Sequence, residues 1–457
     1  MRKIMLLRAG LLAASLLTVG APSSASSRNN GANGYADQSL IVAPVGVPSG
    51  AVLVPFAGQY HSALVTRSGR IWDVDLANLI NESWLLPLDT GYAQLNIHMA
   101  QCFGGGFIDE LDHGTTLFPG AIPRLSINTA ARWDKKSIGV EGADPRNRYS
   151  FAWWFEQDAG IANKAMLNAY TTALSNQTYP AAVRAAELPQ YFSAPDAQDA
   201  SLLGSGPDKK VALLFVGDDR DRTAAGIVRN QRHYRDALRM YGTLRNNFGF
   251  AAADIRVYYH DGTAPAGAPA GLPIDGAATE ANFNAFFAAP PQPIAGGNDE
   301  IFIWTSDHGA LRFALAGQVQ LLPDAGVQLA RLDFQLTPEY LTALNTTDFD
   351  PQLFGLPRLD IATLNNPGNA PVSVLLNGHA LGVARLAGDG FDLDPAWLSS
   401  SNTLSFQTSG GGSVVVGDLS LSFVAPNEIG PVPEPASAWL LGPGLLLVFS
   451  FAGRRGR

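Results

Sequence analysis

The sequence predicts an α/β protein with a mostly parallel sheet, followed by a C-terminal all-β module. Three observations lead to this prediction. Residues 211–216 form an unbroken apolar run, which is typical of a strand buried on both faces of a parallel sheet. Strand-like and helix-like patterns alternate from 210 to 317. From 318 to 425 the pattern changes to short alternating strands separated by Gly-rich turns.

Each predicted element follows from its residue pattern. Apolar and β-branched runs predict strands at 211–216, 255–259 and 300–305, and helical spacing predicts helices over 230–247 and 279–287. Strands that alternate with helices pair in parallel through right-handed crossovers. In the all-β part, alternating segments predict strands at 372–376, 402–406, 413–416 and 419–423.

Length and composition limit the class of protein. The chain has 457 residues, of which 46% are hydrophobic and 16% charged, as in a globular protein with two or three compact units. The formal net charge is −9, which argues against the basic face that nucleic-acid binding needs, so no nucleic-acid partner is expected.

The two ends of the chain have the patterns of targeting segments. Residues 1–25 combine a basic start, a short apolar run and small residues, which predicts a secretory signal peptide, with a retained anchor as the alternative. Residues 431–457 contain a Pro-Glu-Pro motif, an apolar stretch at 438–452 and a basic end. We expect an exported protein, transiently anchored by this stretch, that is periplasmic, at the cell surface or extracellular.

Cys102 is the only cysteine, so no disulfide can form within the chain. An exported protein that keeps one thiol keeps a group liable to oxidation, and catalysis is one reason to do so. Cys102 follows a predicted strand at 95–100 and precedes three glycines and an acidic segment expected to be helical. A nearby helix N-terminus is expected to stabilise its thiolate. The alternative is a buried, inert cysteine.

His308 lies in the sequence Asp307-His308-Gly309 at the carboxyl end of a predicted parallel strand, where open α/β sheets place their sites. We expect its side chain to be exposed there, with the backbone N–H of Gly309 free to approach a substrate oxygen. Four other histidines are compared with His308. His61 is the rival base and precedes Cys102 by 41 residues, whereas His98 is expected to pack inside a strand, His113 to lie in a loop, and His260 to line the same edge as His308. No cluster has the ligand spacing of a metal site, so neither a metal nor a cofactor is expected.

Several stretches together resemble the caspase-like (clan CD) cysteine peptidases, and the legumain type most closely. They are the strand ending in Asp307-His308-Gly309, the cysteine turn at 101–107, the following strand and loop at 127–137, the segment at 230–236 with its Arg232-His233 pair, and the crossover at 273–283. The C-terminal tail resembles the PEP-type sorting signal that an exosortase reads. The implied fold is a three-layer α/β/α sandwich, with the cysteine half at 39–158, a helix and linker at 159–209, and the histidine half at 210–317.

The resemblance implies a Cys–His dyad acting on a peptide or protein substrate, by hydrolysis or by transpeptidation. Cys102, His308 and Gly309 are the implied catalytic residues, and Arg232, His233, Ser137, Asp307 and Gln101 the implied substrate-binding residues. If the first pocket works as in legumains, Asn or Asp precedes the cut. In that family the histidine precedes the cysteine, whereas here the order is reversed, which implies a circular permutation.

A second interpretation is a non-catalytic surface protein. Residues 318–425 contain Asn377-Gly378-His379 and a Phe-Asp-Leu-Asp-Pro-Ala-Trp segment at 391–397, which resemble galactose-binding-like sandwich modules. Such a module would bind an extracellular polysaccharide or brace its neighbour.

Overall fold

The computed structural model describes a subset of the chain between 51 and 429. The described residues are 51–54, 60–82, 94–111, 125–132, 135–139, 155, 165–176, 187–193, 209–223, 226–229, 231–292, 299–321, 328–336, 341, 356–408, 414–425 and 428–429. The expected signal peptide and sorting tail lie outside them, as does most of the expected linker at 159–209. Within the described residues, no helix has both the length and the apolar character needed to cross a membrane.

The described elements are short helices and many strands. In chain order the strands are β1 (Ala51–Val54), β2 (Tyr60–Val65), β3 (Arg70–Trp72), β4 (Gln94–Met99), β5 (Leu125–Thr129), β6 (Ile138–Gly139), β7 (Gln190–Ser193), β8 (Lys210–Val216), β9 (Arg220–Thr223), β10 (Gly226–Arg229), β11 (Ile255–Tyr259), β12 (Glu300–Ser306), β13 (Gly309–Leu321), β14 (Gln328–Gln335), β15 (Arg358–Asn365), β16 (Val372–Leu376), β17 (His379–Ala384), β18 (Gly390–Asp392), β19 (Ser401–Thr408), β20 (Val414–Ala425) and β21 (Glu428–Ile429). The helices are α1 (Asp73–Glu82), α2 (Phe107–Leu111), α3 (Met166–Asn176), α4 (Gln231–Asn247) and α5 (Glu280–Ala288).

A six-stranded sheet combines three strands that precede residue 200 with three strands that follow it. Its order is β11, β8, β12, β4, β5, β7, and every pair is parallel except β5 with β7. β4 therefore lies beside β12 although a long stretch of chain separates them. The predicted strands at 211–216, 255–259 and 300–305 are confirmed as β8, β11 and β12.

Helices cover both faces of this sheet. Successive residues of a strand point to opposite faces, so each strand contributes to two cores. On one face Leu213 and Phe215 join a core with residues of α1, α2 and α5. On the other, Ala212 and Leu214 join a core with residues of α3 and α4. The helix predicted over 230–247 is confirmed as α4, and Thr279 caps α5 by accepting a hydrogen bond from the N–H of Asn282 at 3.2 Å.

Two further sheets contain only antiparallel pairs, and we call them together the β-sandwich. One runs β18, β15, β20, β13, β2, β3, with β1 also on β13, and the other runs β14, β19, β16, β17. Apolar side chains of both sheets form one core, which also includes Cys102 and Phe103. The strands predicted separately at 413–416 and 419–423 are one strand, β20, because Gly417 stays in register with Gln318 and Thr363 on its two neighbours.

Strand β13 connects the β-sandwich to the six-stranded sheet. It begins at Gly309, directly after the end of β12, and pairs with β2 from the start of the chain and with β20 from its end. The expected boundary between 317 and 318 falls within this strand, and the strands at 51–72 join the β-sandwich.

Candidate active site

The ends of β4 and β12 bring Cys102 and His308 to the same edge of the six-stranded sheet. Met99 of β4 pairs with Thr305 of β12, and the N–H of Ala100 donates to the carbonyl of Thr305 at 2.8 Å. Three residues after each member of this pair, the chain reaches Cys102 and His308. The parallel register therefore places the only thiol and the expected base at adjacent carboxyl ends.

Gly309 is pressed against the backbone of Cys102. A Cβ added to Gly309 would lie 2.0 Å from the carbonyl oxygen of Cys102 and 3.0 Å from its Cβ. No side chain fits in that space. The glycine of the Asp-His-Gly sequence therefore has a steric reason to be glycine, in addition to the expected role of its N–H.

The backbone is strained where three strands end at this edge. Phe103, His260 and Asp307 have φ values of 60°, 38° and 124°, in the region that favours glycine. Such residues persist only where the surrounding structure holds them, and they concentrate at functional sites. One of them follows Cys102 and another precedes His308.

His308 is fully buried, at 0% exposure, so the expectation of an exposed side chain is wrong. β2 lies alongside its backbone, because the N–H of Val65 donates to the carbonyl of His308 at 3.2 Å, and the chain continues directly from His308 into β13. Its Nε2 lies 2.8 Å from the carbonyl oxygen of Arg220 and 3.4 Å from Oδ1 of Asp307. An Nε2–H that donates to the Arg220 carbonyl leaves Nδ1 as the nitrogen able to accept a proton.

Asp307 ties the histidine strand to the loop after β8. Its Oδ2 accepts a hydrogen bond from the N–H of Asp218, and its side chain is fully buried. In the same loop, a Cβ added to Gly217 would lie 1.7 Å from the carbonyl oxygen of Val65. Asp307, which the resemblance places among the substrate-binding residues, therefore has one carboxylate oxygen on the backbone of this loop.

Cys102 is also fully buried. The N–H of Ser137 donates to its Sγ at 3.3 Å, and Sγ lies 3.9 Å from the carbonyl oxygen of the same residue. Burial raises the pKa of the Cys102 thiol to about 12, and this outweighs the opposite effects of Lys136, the Ser137 hydrogen bonds and Arg232. The expectation of a stabilised thiolate is therefore wrong for this form of the chain, because loss of hydration dominates.

The expected substrate-binding residues Gln101, Arg232 and His233 are buried near the carboxyl ends of β4 and β12. Gln101 accepts a hydrogen bond from Oγ1 of Thr305 at 2.7 Å, which links the cysteine strand to the histidine strand. Nε of Arg232 donates to Nε2 of His233 at 3.1 Å, and Nδ1 of His233 lies 2.9 Å from Oγ of Ser306. The rings of His233 and His308 are 6.3 Å apart between centroids. Burial, Arg232 and His308 lower the pKa of His233 well below its usual value, so its imidazole is neutral at physiological pH.

The rival histidines have other surroundings. His98 is buried, hydrogen-bonds with the side chain of Asn128 and stacks on Phe155, with 4.2 Å between ring centroids, so the prediction that it packs inside a strand is confirmed. Burial lowers its pKa to about 4. His61 lies in β2, opposite Arg312 of β13. His113 is outside the described residues.

Sequence reasoning missed the loop after β8. Asp218 and Asp219 lie there beside His260, with one ligand atom of each residue within 4.8 Å of the others. Asp218 binds Arg220, with 2.8 Å between Nε and Oδ1, and Asp219 accepts from Arg229 at 3.0 Å. The only signal in the sequence was a pair of aspartates after one strand and a histidine after another, far apart in the chain.

This arrangement combines a thiol, an imidazole with one nitrogen tied to a carbonyl, and close-packed backbone at two parallel strand ends. These groups can support attack by sulfur on an acyl carbon. No protein-family model, curated protein or solved structure matches the chain.

Proposed function

We propose that this chain is a cysteine endopeptidase of the caspase-like class, with Cys102 as nucleophile and His308 as base. The observation that carries the proposal is the contact of Gly309 with Cys102, which joins the Asp-His-Gly sequence to the only thiol across neighbouring parallel strands. A pure scaffold has no chemical need for a thiol and an imidazole at this edge.

In the proposed reaction, Nδ1 of His308 takes the proton of the Cys102 thiol and the sulfur attacks the scissile carbonyl carbon. The N–H of Gly309 stabilises the oxyanion. When the C–N bond breaks, His308 gives the proton to the leaving amine, and water then hydrolyses the thioester. If an amine reaches the thioester instead, the same intermediate leads to transpeptidation.

The topology supports a permuted caspase-like fold. The six-stranded sheet is parallel across five strands and has helices on both faces. Its cysteine strand β4 and histidine strand β12 are adjacent although their order along the chain is reversed. Catalysis depends on geometry and not on chain order.

The described form is closed, and we propose that it is latent. Cys102 and His308 have no exposed surface, and Cys102 shares a core with the β-sandwich. A peptide cannot reach the sulfur until this region opens. Opening also hydrates the thiol, which lowers its pKa towards the ordinary value.

We propose Asn or Asp as the residue before the cut, with Arg232 as the group that reads it. Arg232 is buried beside His233, close to the histidine strand. We also propose that the segment at 1–25 directs export and that an exosortase sorts the tail at 431–457. The exported chain would then stay near extracellular polysaccharide.

Covalent labelling tests the dyad. We expect a peptide-acyloxymethyl ketone probe to label the wild-type chain after limited trypsin digestion, because cleavage opens the closed form and exposes Cys102. We expect no labelling of Cys102→Ala and a rate for His308→Ala lower by about 100-fold or more, since the base then no longer takes the thiol proton. The measurement is the labelling rate by gel fluorescence before and after digestion.

His379→Ala is the matched control, because His379 is an exposed histidine in β17. It should label at the wild-type rate. Equal rates for wild type and His308→Ala would contradict the pairing and direct attention to His61. Absence of labelling in every folded form would contradict a cysteine peptidase.

The alternative is a non-catalytic surface protein, favoured by the complete burial of the thiol. On the β-sandwich, His379 stacks on Trp397 with 4.8 Å between ring centroids, an aromatic pair of the kind that contacts sugars. Retention on immobilised polysaccharide that is lost in Trp397→Ala, together with no labelling of Cys102, would support this alternative.

A further inference from the structure

Two aspartates and a histidine converge beside the Cys102–His308 pair. Asp218 and Asp219 follow β8, and His260 follows β11, its parallel neighbour in the six-stranded sheet. Parallel strands end at the same edge, so three side chains from two loops meet there. Their exposed fractions are 7%, 0% and 4%.

The Nδ1 atom of His260 has no hydrogen-bond partner within the part of the chain that the structure describes, and it is buried. It lies 3.4 Å from Oδ1 of Asp218 and 3.5 Å from Oδ1 of Asp219. A buried polar atom without a partner is costly, and this one points at two carboxylate oxygens. A cation held between the three atoms would give Nδ1 of His260 the partner that it lacks.

Both distances from Nδ1 of His260 fit a tetrahedral ion. With metal–nitrogen and metal–oxygen bonds of about 2.1 Å, two ligands of a tetrahedral Zn²⁺ are separated by about 3.4 Å. The donors also fit, since one imidazole and two carboxylates are common ligands of Zn²⁺ and leave its fourth position for water. Oδ1 of Asp218 accepts from the backbone N–H and from Nε of Arg220, at 3.1 Å and 2.8 Å, and Oδ1 of Asp219 accepts from Nε of Arg229 at 3.0 Å. A cation at these atoms would therefore replace part of the arginine contacts.

The surrounding charge favours a divalent ion. Four carboxyl groups interact here, those of Asp218, Asp219, Asp261 and Asp307, against the guanidinium groups of Arg220 and Arg229. Among these described residues the acidic groups therefore exceed the basic groups by two.

We propose that Asp218, Asp219 and His260 bind one divalent cation of the Zn²⁺ type. The cation fixes the loop after β8, whose Asp218 N–H donates to Asp307 and whose Arg220 carbonyl faces Nε2 of His308. It is therefore a structural ion placed behind the residues that orient His308. The cation site does not depend on the proposed peptidase activity.

Calorimetric titration of the full chain, purified without a polyhistidine tag and stripped with EDTA, tests the site. We expect one Zn²⁺ per chain, and His260→Gln to weaken the dissociation constant by roughly 100-fold or more because one of three protein ligands is lost. Bound Co²⁺ should give the intense visible absorption of a tetrahedral ion in the wild type and lose it in the variant.

Asp392→Asn serves as control, because Asp392 is an exposed aspartate in β18, and it should bind Zn²⁺ as the wild type does. If His260→Gln does not fold, as judged by circular dichroism, Asp218→Asn takes its place, with the same weakening expected. Three outcomes overturn the proposal: no stoichiometric binding by the wild type, equal affinity of the wild type and a folded ligand variant, or tighter binding of Ca²⁺ than of Zn²⁺.

Discussion

Gly309→Ala is expected to destabilise the chain by about 3 kcal/mol and to abolish labelling of Cys102, because the added methyl group collides with backbone. The new Cβ would lie 2.0 Å from the Cys102 carbonyl oxygen and 2.7 Å from its carbonyl carbon. Neither atom can move without displacing β4 or β13. The measurement is the urea midpoint, read by tryptophan fluorescence, together with the labelling rate.

Gly368→Ala is the matched control, because a Cβ added there meets nothing within 4 Å. We expect this variant to unfold within about 0.5 kcal/mol of the wild type, as surface substitutions do. If Gly309→Ala unfolded at the same urea concentration as Gly368→Ala, the close contact between the glycine and the cysteine would be wrong.

The thiol of Cys102 is expected to react with iodoacetamide at pH 8 at least 1,000-fold more slowly in the native chain than in the unfolded chain. Only the thiolate reacts, and burial raises the pKa of Cys102 to about 12. An ordinary thiol has a pKa of about 8.5, so its ionised fraction at pH 8 is larger by about three orders of magnitude. Loss of access to the buried sulfur adds to the difference.

The same pKa predicts how stability depends on pH. Below the unfolded pKa of about 8.5 the thiol is neutral in both states, and its burial contributes fully to the free energy of unfolding. As pH rises towards 12 only the unfolded chain ionises, so the free energy of unfolding falls. Urea midpoints of wild type and Cys102→Ser between pH 8 and 10.5 measure this, with the wild type losing more. Rapid alkylation of the native chain at pH 8 would show that Cys102 is open and ionised.

The parallel sheet could be predicted because its signals are local. The apolar run of β8 and the helical spacing of α4 each lie within one segment of sequence. The adjacency of β4 and β12 also followed, from the resemblance of the cysteine turn and the Asp-His-Gly sequence to one family. These elements were sufficient to identify Cys102 and His308 as residues at one edge.

The accessibility of the site could not be predicted, because it depends on the pairing of strands that are far apart in the sequence. β2 lies beside the backbone of His308, and nothing local in the segment at 60–65 shows that it pairs with a strand starting at 309. The aspartate–histidine cluster was missed for a similar reason. The sequence placed His260 at the edge of His308, but Asp218 joins it there only through the register of β8 with β11.

Strand β13 prevents the chain from being cut into two independent fragments. It has 13 residues, and a strand of that length spans about 43 Å. Its first residue touches Cys102, while the rest holds β1, β2 and β20. A cut anywhere along it would leave unpaired strand edges on both fragments. We therefore expect the two sheet systems to unfold together, because one continuous backbone joins the β-sandwich to His308.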